Sequence, residues 1–202
     1  IVACLLFFMI LAAIRPEAWR LTPLLMPYLI VLGGLAIIWD QAPSRPLSAG
    51  APLAWIGTHI AVSVATYGLI TLAAVSALAA WIQGRALKAK TYSPLAKLLP
   101  SLADSESLTL RLLAISEVVL AVGLATGIAT YYMETGHFFL IDHKTLFTVS
   151  VFVVVGLLLV ANARWGVRGR AAVRAVLLAY LLLTLGYPGV KFVTDIVLSG
   201  GP

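Results

Sequence analysis

The chain contains few charged residues and a single cysteine, and both shortages restrict what it can be. Charged residues make up 11% of the 202 residues, whereas 61% are hydrophobic. A mean hydropathy of +1.03 excludes an ordinary soluble domain and predicts a polytopic membrane protein. Because Cys4 is the one cysteine, an intrachain disulfide and a cysteine-based metal cluster are both excluded. We expect Cys4 to pack as a small hydrophobic side chain in an apolar helix.

Sequence motifs of common enzyme classes are missing as well. The patterns G-x-S-x-G and H-E-x-x-H and the P-loop do not occur. The net charge of +6 does not indicate a nucleic-acid-binding protein, because the basic residues lie between hydrophobic stretches rather than on a soluble patch with interleaved aromatics. We expect their electrostatic partner to be anionic lipid.

The positions of the positive charges predict a membrane topology. Most of the 14 Lys and Arg lie in three segments between hydrophobic stretches: 15–20, 84–111 and 164–174. Short loops rich in Lys and Arg stay on the cytoplasmic side of a membrane. The three histidines, His59, His137 and His143, lie at the other gaps. The sequence therefore predicts a bacterial inner-membrane protein with cytoplasmic basic loops and with its histidines at the outer, periplasmic side.

The hydrophobic segments predict an all-α fold. A spanning helix needs about 20 mostly apolar residues. The candidate spans are approximately 1–14, 22–39, 53–81, 107–133, 143–163 and 171–198. We therefore expect a polytopic transmembrane helix bundle of about six spans, and one integral membrane domain over residues 1–202. Because the chain starts at Ile1 within an apolar run, we also expect an N-terminal part to precede it.

Two histidines have the placement expected of haem ligands. His59 lies near the outer end of the third predicted helix, and His143 opens the fifth. Two neutral imidazoles on facing helices can supply both axial ligands of a haem iron. The alternative is that each is an interfacial histidine bonded to a hydroxyl or a carbonyl; His137, in a loop, is kept as a reserve ligand. Small residues that would let a planar group or a helix approach closely are Gly57, Gly123 and Gly127.

One carboxylate lies inside a predicted span. Glu117 sits about two turns inside the fourth predicted helix, where a charged side chain is costly. Its functional interpretation is proton handling, and its structural interpretation is an interhelical hydrogen bond, which we favour. Arg111 is a poor partner because a separation of six residues does not bring two side chains onto one helix face.

From about Trp55 to Val197 the chain resembles the cytochrome c assembly family, whose members are membrane proteins that handle haem during cytochrome c maturation. The resemblance is closest to the short HemX-like branch. The segments that carry it are Thr58-His59-Ile60-Ala61-Val62-Ser63 through Tyr67, Leu124-Ala-Thr126-Gly127-Ile-Ala, Asp142-His143-Lys144-Thr145 and Gly186-Tyr187-Pro-Gly189-Val-Lys191-Phe192.

The resemblance implies a haem site and argues against a ligase. It strengthens the interpretation of His59 and His143 as the pair that binds the iron of a b-type haem between helices. Lys144 is expected to contact a haem propionate because of its position beside His143. The aromatic residues expected to line the pocket are Tyr131, Tyr132, Phe138 and Phe139. Segment 133–142 lacks tryptophan and segment 196–202 lacks histidine, unlike the haem-ligating branch of the family. We therefore expect no haem-ligating activity.

Three functions are compatible with these residues. The leading hypothesis is a haem-binding or haem-handling membrane protein of the cytochrome c assembly type. Its expected partners are the lipid bilayer and other membrane subunits or cytochrome assembly components. The second is a non-enzymatic accessory or scaffold subunit with structural histidines. The third is a transporter or proton-coupled protein built around Glu117, which is weaker because no inverted repeat is visible.

Overall fold

The computed structural model describes residues 1–39, 52–91, 93–136 and 143–186, and these residues form helices and no strands. The prediction of an all-α fold is confirmed for this part of the chain. Within these ranges seven α-helices and one 3-10 helix follow each other: α1 (Val2–Ile14), the 3-10 helix (Pro16–Leu21), α2 (Thr22–Trp39), α3 (Leu53–Ala89), α4 (Pro94–Leu98), α5 (Leu102–Thr135), α6 (His143–Trp165) and α7 (Arg170–Thr184).

Proline and serine residues define several helix ends. Arg15 is extended between α1 and the 3-10 helix, because the residue before a proline disfavours the helical conformation. Ser93 caps α4, accepting a hydrogen bond from the Ala96 amide at 3.2 Å. Ser101 caps α5 in the same way, accepting from the Asp104 amide at 3.2 Å.

Two of the predicted helix boundaries were wrong. Helix α3 continues beyond Trp81 to Ala89, because Arg85 and Lys88 are compatible with a helix that has left the apolar core. Helix α5 starts at Leu102 rather than near residue 107, because the cap is Ser101. Much of the basic segment 84–111 is therefore helix rather than loop.

Helix α3 forms the centre of the bundle. It packs against α1, α5 and α7. In the most apolar 18-residue stretch of α3, 61% of the residues are buried, whereas the corresponding share is 28% or less in the other long apolar helices. Cys4 on α1 is buried as predicted, with 5% of its surface exposed. Helices α3 and α5 are antiparallel, because His59 near the start of α3 contacts Thr126 near the end of α5, and Gln83 near the end of α3 bonds to Pro100 just before α5.

Four helical segments among the described residues are long and apolar enough to cross a membrane: Pro16–Ile37, Ala54–Ala89, Leu102–Met133 and Thr145–Trp165. The apolar helix Val2–Ile14 is shorter. Large apolar side chains point away from the bundle, including Ile30, which is 74% exposed, and Leu157, which is 64% exposed. Such exposure is unfavourable in water and ordinary in lipid, so the fold is that of a helical membrane protein.

Candidate functional site

His59 is held on α5 by a hydrogen bond to Thr126. The Nδ1 atom of His59 lies 3.0 Å from the Thr126 hydroxyl oxygen. The same hydroxyl lies 3.0 Å from the Gly123 carbonyl, to which it can donate its single hydrogen, and in that arrangement it accepts a hydrogen bond from the imidazole. Nδ1 then carries the ring proton, and Nε2 keeps the lone pair that can bind a metal ion.

The ring of His59 packs against the backbone of α5 at Gly127. A Cβ atom built at Gly127 would lie 3.1 Å from Cε1 of His59, which is tighter than an ordinary van der Waals contact. At Gly123 the corresponding atom would lie 3.5 Å from Val62, and at Gly57 it would meet nothing within 4 Å. Of the three glycines singled out from the sequence, Gly127 is the one that makes room for the imidazole.

The first turn of α6 lies at the same end of the bundle as His59. The Glu117 carboxyl lies against Gly156, which fixes the register of α5 and α6. From Gly156 back to His143 the helix rises about 20 Å, and from Glu117 to Thr126 it rises about 14 Å. Seven residues join the end of α5 to the start of α6, too few to run back along the length of α5, so the two helices run in opposite directions. The backbone of His143 therefore lies within about one helical turn of the level of Thr126.

Of the other residues predicted to line the pocket, Tyr131 and Tyr132 lie within the described part of the chain. Tyr131 is half-buried and lies one turn beyond Gly127 on the same side of α5, whereas Tyr132 is 45% exposed. Residues His137, Phe138 and Phe139 lie outside the described residues, as do the side chains of His143 and Lys144. Within the described ranges, no group of three or more His, Cys, Asp and Glu side chains could hold a metal ion; axial ligation of haem needs two residues.

Sequence reasoning missed Thr126 as the partner of His59. Thr126 is 9% exposed and lies within the segment 124–129 that resembles the cytochrome c assembly family. A threonine in a helix usually bonds to its own backbone, and this one also does so. The available signal was therefore its place in that segment next to Gly127.

Glu117 points at α6 without a hydrogen bond at one of its oxygens. A Cβ atom at Gly156 would lie 2.9 Å from Oε1 of Glu117. The Oε2 atom is buried and has no hydrogen-bond partner. In the described part of the chain the one ion pair is that of Arg15 with Glu17. The interhelical hydrogen bond predicted for Glu117 is therefore not observed at Oε2, and Arg111 does not pair with the carboxyl.

Three tyrosines from different helices meet in the interior, a cluster that the sequence did not indicate. The hydroxyls of Tyr28 on α2 and Tyr180 on α7 are hydrogen-bonded to each other. The Tyr67 hydroxyl on α3 lies 3.1 Å from the hydroxyl of Thr184. Tyr67 and Tyr180 have ring centroids 6.2 Å apart. Each buried hydroxyl thus has a partner, which joins α2, α3 and α7.

The fold and the histidine contact are those of a helical membrane protein with a histidine oriented inside its bundle, and comparison with known proteins identifies the family. The model of the family described as "Cytochrome C assembly protein" matches residues 1–198. The chain therefore belongs to the cytochrome c assembly family, which confirms the resemblance seen in the sequence. Membership indicates a haem-related function in a membrane.

Two similar proteins illustrate the relationship. An "Uncharacterized 28.8 kDa protein in nifR3-like 5'region" of Azospirillum brasilense is 57% identical over 199 residues, which cover 98% of this chain and 73% of the relative. "Protein HemX" of Brevibacillus brevis is 26% identical over 155 residues, which cover 77% of this chain and 57% of the relative. No solved structure matches the chain significantly.

Proposed function

We propose that this protein binds or transiently holds b-type haem between its helices and hands it on during cytochrome c assembly. His59 and His143 would bind the iron, Lys144 would contact a propionate, and His137 is the reserve ligand. The aromatic residues proposed to line the pocket are Tyr131, Tyr132, Phe138 and Phe139. Bound haem would supply the redox or transfer chemistry, and the residues of the chain would hold and orient the haem.

The observation that carries this proposal is the hydrogen-bond pair at His59. The Thr126 hydroxyl lies 3.0 Å from Nδ1 and 3.0 Å from the Gly123 carbonyl, so it can accept from the ring while it donates to the backbone. Such a partner on the second ring nitrogen fixes the tautomer and orientation of a metal-binding histidine. The contact supports His59 as a haem ligand, since it leaves Nε2 to bind the iron and family membership supplies the haem context.

The arrangement in the membrane is part of the same proposal. We propose a single multi-pass domain of about six spans in the bacterial inner membrane, with basic segments in the cytoplasm and the haem site near the outer face. The positive-inside pattern supports this orientation. The proposed partners are the lipid bilayer and other cytochrome assembly components. We propose no enzymatic activity for this chain.

Absorption spectroscopy of the purified full chain tests the haem site. On addition of haem we expect a Soret band and, after reduction, the sharp visible bands of a six-coordinate b-type centre. The variants His59→Ala and His143→Ala should each lose this spectrum while remaining folded, and His137→Ala should retain it. A chain that gains no Soret band, or a His59→Ala variant with an unchanged spectrum, would contradict the proposal.

A second candidate function is that of an accessory or scaffold subunit with structural histidines. Its support is that His59 already has a hydrogen-bond partner in Thr126 and packs closely on Gly127. In this case His59→Ala would lower the stability of the protein or the amount of an assembled complex, with no haem spectrum to lose. The two functions are thus separated by the spectrum and the stability of the same variant.

A further inference from the structure

A surface groove of about 500 Å³ lies beside the last turns of α3, far from His59. It is lined by Trp81, Ile82, Arg85, Ala86, Ala89, Thr91 and Ser93. The 37 residues of α3 make a helix about 55 Å long, whereas the hydrocarbon core of a bilayer is about 30 Å thick. The last turns of α3 therefore extend into the headgroup region. Trp81 is 38% exposed, and tryptophan favours this depth.

Hydrogen bonds hold the walls of this groove in place. Gln83 on α3 is 7% exposed, and its Nε2 atom donates to the carbonyl oxygens of Ala96 and Pro100 at 2.8 and 2.9 Å. The guanidinium of Arg20 donates to two carbonyls at the end of α4, at 2.8 and 3.1 Å. Helix α4, which begins after the groove residue Ser93, is thereby tied to α3 and to the segment around Arg20.

The groove carries positive charge without a matching carboxylate. The Arg85 guanidinium lies 4.9 Å from the centroid of the Trp81 ring, a cation–π contact that leaves its edge free to donate hydrogen bonds. Lys88 and Lys90 on the adjoining turn are exposed. None of the three basic residues takes part in an ion pair within the ranges that the structure describes. The local field therefore favours an anion at this depth.

We propose that this groove binds the headgroup of an anionic phospholipid from the leaflet that the C-terminal end of α3 reaches. Arg85 contacts the phosphate, and the Thr91 hydroxyl supplies a further donor. The Trp81 ring lies at the level of the glycerol backbone, with the lipid chains passing along α3. A zwitterionic headgroup does not match the surplus positive charge. This site is independent of the haem site, because none of its residues approaches His59.

Lipid binding to the purified full chain tests the proposal. The protein in neutral detergent is titrated with phosphatidylglycerol or phosphatidylethanolamine, and retained lipid is counted by native mass spectrometry. Arg85→Gln removes the charge and keeps hydrogen-bonding capacity. Arg164→Gln is the matched control, because Arg164 is also exposed in the last turn of a helix at the same end of the bundle and lies outside the groove. Circular dichroism establishes that both variants fold.

We expect phosphatidylglycerol to bind in preference to phosphatidylethanolamine, and Arg85→Gln to weaken its binding about five-fold, as loss of one basic residue near an anionic surface does. Arg164→Gln should change the affinity less than two-fold. Equal losses in the two variants would indicate diffuse attraction and overturn the proposal. So would competition by free inorganic phosphate at millimolar concentration, which would identify a soluble anion as the ligand. If Arg85→Gln does not fold, Arg85→Lys takes its place, and we expect that variant to bind phosphatidylglycerol with intermediate affinity.

Discussion

Nδ1 of His59 and the hydroxyl oxygen of Thr126 lie 3.0 Å apart and join the N-terminal part of α3 to the C-terminal part of α5. The contact brings together two residues that are 67 positions apart in the chain. It orients an imidazole inside a helix bundle, at the end where α6 begins. The proposed haem chemistry therefore depends on a contact between two helices rather than on a local motif.

Replacing Thr126 by valine should weaken haem binding without unfolding the protein. Valine keeps the shape of the side chain but cannot form the hydrogen bond to Nδ1 of His59. The imidazole is then free to rotate or to change its tautomer. Loss of such a supporting residue typically lowers metal affinity 10- to 100-fold, and we expect about ten-fold here. Haem titration followed at the Soret band measures it.

Thr130→Val is the matched control for this variant. Its hydroxyl donates to the backbone oxygen of Thr126 within α5 at 2.8 Å, and among the described side chains it makes no hydrogen bond to a histidine. We expect its haem affinity to stay within two-fold of the parent protein. Equal affinities for the two valine variants would show that the Thr126 contact does not orient a ligand.

Gly127→Ala should disturb His59, whereas Gly123→Ala should not. The new methyl group at 127 would lie 3.1 Å from Cε1 of His59, so the ring must shift by a few tenths of an ångström. The methyl group at 123 would make an ordinary 3.5 Å contact with Val62. We expect a several-fold loss of haem affinity for Gly127→Ala. A reversed order of the two variants would contradict the packing at His59.

Glu117→Gln should be tolerated, because the buried Oε2 atom has no partner and no basic residue pairs with the carboxyl in the described part of the chain. An uncompensated charge at such a depth costs about 2.5–3.5 kcal/mol, so we expect the carboxyl to be neutral and the amide to replace it. The free energy of unfolding should change by less than about 1 kcal/mol. Thermal unfolding in detergent checks this.

The contact between Glu117 and Gly156 can be measured by a double-mutant cycle. A methyl group at 156 would lie 2.9 Å from Oε1 of Glu117, so the carboxyl must move. We expect Gly156→Ala to be destabilising in the parent protein and neutral or stabilising in a Glu117→Ala background. The coupling free energy should be about 0.5–1 kcal/mol, because the end of a flexible side chain moves cheaply. A coupling of zero would mean that the two side chains do not touch.

Gly186→Ala and Gly84→Ala should change stability in opposite directions. A methyl group at 186, two residues beyond the end of α7, would lie 2.8 Å from Cβ of Phe147, an atom that cannot move without its helix. The segment that follows α7 must therefore move away from α6. Overpacking of this kind costs about 1–3 kcal/mol. At Gly84 on α3 nothing lies within 4 Å, and alanine should stabilise the helix by up to about 1 kcal/mol. Chemical unfolding of both variants in one detergent gives the comparison; two changes of the same sign would contradict it.

Much of the fold was predictable because lipid restricts which structures a chain can form. Long apolar segments must become helices, since backbone groups in the hydrocarbon region have to bond within the segment. The end of α1 before Pro16 and the start of α4 after Ser93 follow local rules, because proline and serine act on their immediate neighbours. The end of α3 at residue 89 and the start of α5 at residue 102 were not predicted, because a charged residue such as Arg85 is as compatible with a helix as with a loop.

The sequence by itself determined the membrane class, the helical segments and the family resemblance, since these follow from hydropathy, local chemistry and short motifs. Tertiary structure decided that His59 meets Thr126 and Gly127, that Tyr28 meets Tyr180, and that an arginine–tryptophan groove forms beside α3. The physical reason is that hydropathy alone does not determine how each helix is rotated about its own axis. An apolar helix with little amphipathic pattern does not reveal which face it turns inward, and that face is set by close packing against neighbouring helices.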